Sequence, residues 1–297
     1  MKLRAMILRD VKLFFKDKGM FFTSLVTPMI LLVLYVTFLG KTYTDSFQSA
    51  VPEGVLTADD LIAATVGGEL ISSILAVCCV TVAFCSNMLM VQDKMSGARN
   101  DLLVAPVKRS VLAISYYIAT VFSSLIVCFV AFGAGLLYVH SVGWYMSMAD
   151  IAFICLDIVL VVLFGTALSS IINIFLSTQG QMSAVGTIVS AGYGFICGAY
   201  MPISNFGTGL QKVLSFLPGT YGTSLLRNHA MRGVFEQMRA DGFPVEVVEK
   251  IKESVDCKLY FSGHEVTMPA MYIYLAVTVC VLLVVYVLIN AWQKNHA

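Results

Sequence analysis

The sequence predicts an all-α integral membrane protein with six transmembrane helices, and three observations support this. Of its 297 residues, 58% are hydrophobic and only 12% are charged, whereas a soluble domain usually carries about 25% charged residues. Six apolar runs are long enough to cross the hydrocarbon core of a bilayer, which takes about 20 residues. Basic residues also cluster on alternate connections between these runs, as they do in membrane proteins.

The six predicted spans cover residues 21–40, 62–91, 111–139, 151–176, 183–203 and 269–291. The first run follows a basic segment, but it is long enough to span and no small-residue cleavage site ends it. We therefore expect a retained span rather than a signal peptide. Because no internal repeat or Pro-rich linker divides the chain, residues 1–297 are expected to form a single membrane domain.

Basic residues predict the orientation of the spans. The N-terminal segment and the connection 92–110 are rich in Lys and Arg, whereas the connections 41–61 and 140–150 together hold only Lys41. Short connections with an excess of Lys and Arg remain cytoplasmic. Six spans then place both termini in the cytoplasm, the protein in the cytoplasmic (inner) membrane, and residues 204–268 in an extracytoplasmic insert.

Residues 2–18, which precede the first span, can wind into an amphipathic helix. Its two sides hold four apolar and four basic residues: Leu3, Ile7, Val11 and Phe14 against Lys2, Arg9, Lys12 and Lys16. A helix of this kind lies in the plane of the membrane surface. We expect an interfacial helix here, on the cytoplasmic side.

The cytoplasmic connection between spans two and three carries the most informative pattern. It is predicted to form a short charged helix with an exposed Leu102-Leu103 pair, ended by Ala105-Pro106. A solvated loop has no need of an exposed apolar face, whereas a helix that docks on a partner does. The segment is therefore predicted to be a docking helix.

Residues 204–228 predict a re-entrant helical hairpin before the last span. An apolar helical face ends at Leu217, and Pro218, Gly219 and Gly222 interrupt it before a second short apolar stretch. Each half is too short to cross the membrane, and irregular backbone at membrane depth is tolerated only where protein or a cavity surrounds it. Beyond it, helical spacing of apolar residues predicts a small amphipathic outer helix: Val245, Val248, Ile251, Val255 and Leu259.

Few polar groups in the spans are candidates for a substrate pathway: Glu69, Asn87, Asp157 and Asn173. The two carboxylates lie near outer ends of spans, where they either bind a cationic substrate or solvate the helix ends. The two amides either contact substrate or make interhelical hydrogen bonds of about 1 kcal/mol. No Lys or Arg lies in the middle of a span, so the sequence offers little support for a proton relay.

Several chemical functions are not expected. The sequence has no GxxxxGK[ST] loop for nucleotide phosphates, and no HExxH, CxxC or G-x-S-x-G pattern. An enzyme with its own active site is therefore not predicted. The formal net charge of +1 lacks the basic field that nucleic-acid binding needs. Because seven of the eight cysteines lie in apolar runs, we expect no disulfide framework.

Taken together, these segments resemble the permease subunits of the ABC-2 type export family. There, the cytoplasmic loop between spans two and three typically reads as a charged pair, a Gly, Leu-Leu, Ala or Thr, Pro and a short basic run. The matching residues are Asp93-Lys94, Gly97, Leu102-Leu103, Ala105-Pro106 and Lys108-Arg109. The segment Leu217-Pro218-Gly219-Thr220-Tyr221 is similar to the family's Leu-Pro-x-Thr-Tyr. One departure is that the usual Glu-Arg pair is Asp93-Lys94 here.

The resemblance implies a permease that pairs with a second copy or a paralogue and binds two copies of a separate ABC ATPase. ATP and Mg would bind to that ATPase, and this chain would hold no cofactor. The implied coupling residues are Asp93, Lys94, Gly97, Leu102, Leu103, Ala105 and Pro106. The implied hairpin residues are Leu217, Pro218, Gly219 and Tyr221. The expected function is export of an amphipathic or hydrophobic compound, such as a drug, an antibiotic or a lipid-like molecule.

Two alternatives belong to other functional classes. An ion-coupled secondary transporter would lose transport when the proton gradient is dissipated while ATP is maintained. A non-transporting membrane sensor or assembly protein would bind a ligand at the outer segment 229–268 without moving a substrate.

Overall fold

A computed structural model of the protein describes residues 2–50, 59–104, 109–261 and 263–295. These residues are almost entirely helical. The α-helices are α1 (Lys2–Lys16), α2 (Lys18–Leu34), α3 (Gly40–Ala50), α4 (Asp59–Asn87), α5 (Leu89–Met95), α6 (Ala98–Val104), α7 (Arg109–Val142), α8 (Met148–Phe175), α9 (Gln179–Ile196), α10 (Thr208–Leu214), α11 (Pro218–Ala240), α12 (Val245–Ser254) and α13 (Met268–Asn295). Within the described ranges, the strands β1 (Tyr260–Phe261) and β2 (His264–Glu265) form one antiparallel hairpin.

Among the residues that the structure describes, five helical segments are long and apolar enough to cross a membrane: Lys18–Asp45, Asp60–Met95, Arg109–Val142, Met148–Phe175 and Met268–Trp292. They coincide with five of the six predicted spans. Each begins one to three residues earlier than predicted, and all but Met148–Phe175, which ends one residue earlier, also end later. The remaining predicted span, 183–203, falls on α9, which is not among the five and ends at Ile196. Gly198, two residues later, has a φ of +78° that no α-helix continues through. A sixth crossing therefore stays a prediction.

The N-terminal segment forms the predicted amphipathic helix as α1, which packs on α7. Asp17 separates α1 from α2, because its side chain accepts a hydrogen bond from the Met20 backbone N–H at 3.1 Å and so caps the next helix. The first membrane segment is irregular, since a π-helical turn, Tyr35–Leu39, joins α2 to α3. The Tyr35 hydroxyl donates to the Val66 carbonyl and ties this turn to α4.

Helix α4 is the centre of the bundle and contacts α2, α7, α8, α9 and α11. It carries apolar or small residues on every face, which is typical of a helix that is buried in a protein core or spans a membrane. Val77, Cys78 and Val80 are fully buried there. Gly165 of α8 lets that helix come close, because a Cβ built on Gly165 would lie 3.0 Å from the Val80 Cα.

The structure agrees with the predicted hairpin of residues 204–228 only in part. The first short helix, α10, ends at Leu214, and a new helix does begin at Pro218, where proline is favourable as the first helical residue. The prediction that Gly219 and Gly222 interrupt the helix was wrong, because α11 continues through both to Ala240. These glycines serve close packing instead: an added Cβ would lie 2.7 Å from the Tyr193 hydroxyl oxygen or from Val161 Cγ2, respectively.

The outer segment contains the predicted amphipathic helix as α12, beside α11. Val248, Ile251 and Val255 are buried in a cluster with residues of α4 and α11, whereas Val245 at the helix start is 63% exposed. The hairpin of β1 and β2 follows and leads into α13.

Candidate functional site

A polar cluster joins α1, α5 and α7 at the end of the bundle that the basic residues assign to the cytoplasm. The Arg9 guanidinium donates to both carboxylate oxygens of Asp93, from Nη1 at 2.6 Å and from Nη2 at 2.9 Å. Such two-pronged, charge-assisted pairs are the strongest ordinary side-chain hydrogen bonds. They fix the orientation of the N-terminal helix relative to the loop between the second and third membrane segments.

Three further side chains complete this cluster. Arg9 also binds Asp10 at 2.8 Å, the Tyr116 hydroxyl donates to Asp93 Oδ2 at 2.6 Å, and the Ser115 hydroxyl donates to Asp10 Oδ2 at 3.4 Å. Burial raises the pKa of the Asp10 carboxyl to about 6, and Arg9 opposes that shift. Two carboxylates thus share one guanidinium, with α7 supplying the hydroxyl donors.

Sequence reasoning missed Arg9 and Asp10 as site residues, since Arg9 was placed on the solvated side of the helix. The buried side of α1 is made by Met6, Asp10 and Phe14, which recur every four residues. An acidic residue in phase with two large apolar residues was the available signal. This pattern indicates that the carboxylate is buried in a helix interface, where it needs a hydrogen-bond or ion-pair partner.

Lys94 points to a different element from its neighbour Asp93. Its ammonium group donates to the backbone carbonyls of Ile174 at 3.1 Å and Leu176 at 2.9 Å. These carbonyls lie at the C-terminal end of α8, where the last turn of a helix leaves acceptors without intrahelical partners. The charged pair expected to face a partner protein therefore makes intrachain contacts, Asp93 to α1 and α7 and Lys94 to α8.

The predicted docking helix consists of two helices, α5 and α6, rather than one. Gly97 lies between them with a φ of +81°, a left-handed conformation that glycine adopts without a side-chain clash. Leu102 was expected to be exposed, but it is half-buried against the core. The exposed apolar side chains here are Val104, at 88%, and Met95, at 39%. The Leu103 side chain, Ala105 and Pro106 lie outside the described residues.

Of the pathway candidates, Asn87 lies where α4 meets α8, and Asn173 is a residue of α8. Asn87 donates to the hydroxyls of Ser169 at 3.0 Å and Ser170 at 2.9 Å. Asn173, about one turn further along α8, is fully buried, and no described residue hydrogen-bonds its side-chain amide. Asn87 therefore acts as an interhelical link in this structure.

Glu69 pairs with Arg227 of α11 rather than facing an open exit. Arg227 Nη2 lies 2.5 Å from Glu69 Oε1, and Arg227 Nη1 lies 3.2 Å from Asp256 Oδ2. Arg227 also donates to the Gly198 carbonyl at 2.7 Å and the Ser73 hydroxyl at 3.2 Å. All three charged groups are buried. Burial raises the pKa of Asp256, which Arg227 opposes.

Asp157 is likewise buried and partnered. It contacts His229 Nδ1 of α11 at 2.7 Å and accepts a hydrogen bond from the Tyr272 hydroxyl of α13 at 2.5 Å. The Phe153 ring stacks on His229 with the ring centroids 4.9 Å apart. Residues 227 and 229 are two positions apart, so α11 connects both predicted carboxylates. Neither carboxylate solvates an exposed helix end.

The hairpin residues form the joint between α10 and α11. Leu217 occupies the N-cap position and Pro218 the first helical position of α11. The Tyr221 hydroxyl donates to the Ser215 carbonyl at 2.5 Å, and the Thr220 hydroxyl donates to the Leu214 carbonyl at 2.8 Å. These bonds satisfy carbonyls at the end of α10 and hold the two helices together.

Comparisons with known proteins show the family of this chain. The family model described as ABC-2 type transporter matches residues 1–230, from α1 into α11. Searches of curated proteins and of solved structures find no match. Because the family model covers more than three quarters of the 297 residues, the chain belongs to the ABC-2 type transporter family and is an ABC transporter permease, a membrane component that works with an ABC ATPase.

Proposed function

We propose that this permease exports an amphipathic or hydrophobic compound, such as a drug, an antibiotic or a lipid-like molecule, across the cytoplasmic membrane. A transporter would contain two ATPase subunits, which bind ATP and Mg, and this chain together with a second copy or a paralogue. The observation that carries the proposal is the pairing of Arg9 with Asp93. Through this pairing the N-terminal helix and the cytoplasmic loop would move together.

The contacts suggest how movement of an ATPase would reach the membrane. A push on α5 and α6, applied at the exposed Met95 and Val104, would be transmitted to α1 and α7 through Asp93. Lys94 would transmit it to the end of α8. Charge-assisted bonds at a partly buried site resist rearrangement more than exposed ion pairs do. Three membrane elements would therefore respond together.

The proposed topology keeps six crossings, with α9 as the fifth and with both termini cytoplasmic. In it, α10 and α11 form a re-entrant hairpin whose joint at Leu217 and Pro218 lies within the membrane. The contact of Gly219 with Tyr193 of α9 supports a buried joint. The pairing of Arg227 with Glu69 supports it too, because a guanidinium is stable inside a bundle only with acceptors around it.

Co-expression with a candidate P-loop ABC ATPase, followed by reconstitution into vesicles, tests the proposal. We expect the ATPase to co-purify and ATP to drive movement of a fluorescent amphipathic dye. Asp93→Asn should lower ATP-driven dye movement by about tenfold, because α1 loses the ion pair between Arg9 and Asp93. A tenfold change corresponds to a coupling free energy in the usual range. Val104→Glu should weaken ATPase co-purification.

The outer substitution Glu246→Gln is the matched control, because it also removes one carboxylate charge and lies far from the cytoplasmic loop. It should leave both readouts unchanged. The proposal is wrong if no ATPase co-purifies and if neither Asp93→Asn nor Val104→Glu changes dye movement.

Transport coupled to an ion gradient is the second candidate, and the buried Asp157 and His229 with the partly buried Tyr272 favour it. Buried ionisable groups in membrane bundles often serve proton transfer. Dissipating the proton gradient at constant ATP separates the two mechanisms. Dye movement that stops under this condition favours ion coupling, whereas movement that persists favours ATP-driven export.

A further inference from the structure

The exposed side of α1 carries both basic and apolar side chains, and none of them takes part in the cluster around Arg9. Arg4, Lys12 and Lys16 are exposed, and between them Leu8 is 47% exposed and Phe15 is 37% exposed. Helical geometry of about 100° per residue places Leu8 and Phe15 within about 20° of each other around the helix axis. Lys12 and Lys16 lie on the same face, about 40° and about 80° further around the helix axis from Leu8.

This face is positively charged, and among the described residues no carboxylate pairs with it. No described carboxylate pairs with Arg4, Lys12 or Lys16, whereas the one acidic residue of α1, Asp10, is buried and bound to Arg9. The nearby Asp17 caps α2 through the Met20 backbone N–H. The basic side chains therefore remain available to an external anion.

The apolar part of the face is continuous with the surface of the first membrane segment. The Phe15 ring lies 5.9 Å from that of Phe21, which in turn contacts the ring of Phe22 at 5.5 Å. Phe22 is 63% exposed on α2, within the segment Lys18–Asp45 that is apolar enough to span the membrane. The exposed apolar surface of α1 thus continues into a segment that is apolar enough to span the membrane, and Lys12 and Lys16 lie beside it on α1.

We propose that this face of α1, the basic stripe of Arg4, Lys12 and Lys16, binds the headgroups of anionic phospholipids in the inner leaflet. Leu8 and Phe15 would enter the boundary with the acyl chains, while the long basic side chains reach the phosphates. Each basic residue near an anionic surface strengthens such binding by about fivefold. The permease would then sit preferentially among anionic lipids, held by its N-terminal helix.

Photo-crosslinking of the full-length chain in lipid vesicles tests this inference without an ATPase. Vesicles contain photoactivatable phosphatidylglycerol or photoactivatable phosphatidylcholine, and peptide mass spectrometry measures labelling of residues 2–18 relative to α13. We expect phosphatidylglycerol to label this peptide at least fivefold more than phosphatidylcholine does. The preference should fall when the salt concentration rises from 0.05 to 0.5 M, because screening weakens attraction between exposed charges.

Two double variants make the result specific. Lys12→Gln/Lys16→Gln should reduce the preference at least threefold, whereas the charge-preserving Lys12→Arg/Lys16→Arg should retain it. Unchanged labelling of α13 shows that the variants are inserted correctly. A wild-type ratio of phosphatidylglycerol labelling to phosphatidylcholine labelling near one overturns the proposal. A ratio that the glutamine substitutions leave unchanged overturns it as well. If the glutamine variant keeps the lipid preference but loses ATPase co-purification, the stripe is an ATPase contact and not a lipid site.

Discussion

Arg227 is fully buried although the sequence around it, Ser-Leu-Leu-Arg-Asn-His, has no acidic residue nearby. Its charge is balanced by Glu69 of α4 and by Asp256, which follows α12. Asp256 in turn accepts hydrogen bonds from the backbone N–H groups of Ile203 and Ser204. One guanidinium therefore connects α11 with α4, with the Gly198 carbonyl that follows α9, and with Asp256 that follows α12. Removing one partner of such a group leaves uncompensated buried charge.

Arg227→Met should therefore destabilise the protein by about 3–5 kcal/mol. Arg239→Met is the matched control, because Arg239 is an exposed arginine of the same helix that pairs with Glu249. Its loss should cost at most about 1 kcal/mol. Thermal unfolding of the purified protein in detergent measures both.

A third variant tests the cause of the loss at Arg227. Adding Glu69→Gln to Arg227→Met should recover part of the lost stability, because one of the unpaired carboxylates is removed. Equal melting temperatures for the Arg227→Met and Arg239→Met variants would contradict this account.

At the scale of elements, α11 is held in the bundle by glycines as much as by its charged groups. Gly219 and Gly222 face Tyr193 and Val161, and a Cβ built on Gly68 of α4 would lie 2.6 Å from Met231 Cγ. At Gly233 an added Cβ would lie 1.8 Å from the Tyr145 carbonyl oxygen. Backbone, unlike a flexible side chain, cannot move aside cheaply, so this last contact admits only glycine.

Gly233→Ala should separate α11 from the connection between α7 and α8 and lower stability by about 1–3 kcal/mol or more, as overpacking does. Gly209→Ala in α10 is the control, since no atom lies within 4 Å of the Cβ position there. The control should be neutral or slightly stabilising, because alanine favours a helix. Chemical denaturation of both purified variants measures the difference, and equal stability would show that α11 is not packed this closely.

At the scale of the whole molecule, α9 decides whether the chain crosses the membrane five or six times. It is less apolar than the five clear spans, and much of its surface is exposed. Its first residues follow the end of α8 that Lys94 caps, on the side of the basic loop. Its far end leads to Gly198, whose carbonyl binds Arg227 beside the outer segment. These contacts at opposite ends favour a sixth crossing.

Single-cysteine labelling checks the crossing directly. In a Cys280→Ser background, which removes the exposed native thiol, Gln179→Cys should react with an impermeant maleimide only after cells are permeabilised. Asn205→Cys should react in intact cells. Both residues are exposed in the structure, so access depends on the side of the membrane. Labelling of both from the same side would exclude α9 as a crossing.

The sequence alone determined the membrane class, five candidate spans, the N-terminal amphipathic helix and the amphipathic helix α12. It could do so because hydropathy over about 20 residues and helical periodicity are local properties. The interpretation of the connection between the second and third membrane segments as a cytoplasmic coupling loop also rests on a local pattern, between Asp93 and Pro106, and stays a prediction.

Only the tertiary structure decided where the polar groups go. Arg9 lies 84 residues from Asp93, and Glu69 and Asp157 find their partners on α11, far along the chain. Whether a charged residue faces solvent, a partner protein or a buried counter-ion depends on which helices become neighbours. Periodicity within one helix cannot supply this information. Gly219 and Gly222 are a second example. Their sequence predicts a break in the helix, but in the structure they lie inside α11, where neighbouring residues are so close that only glycine fits.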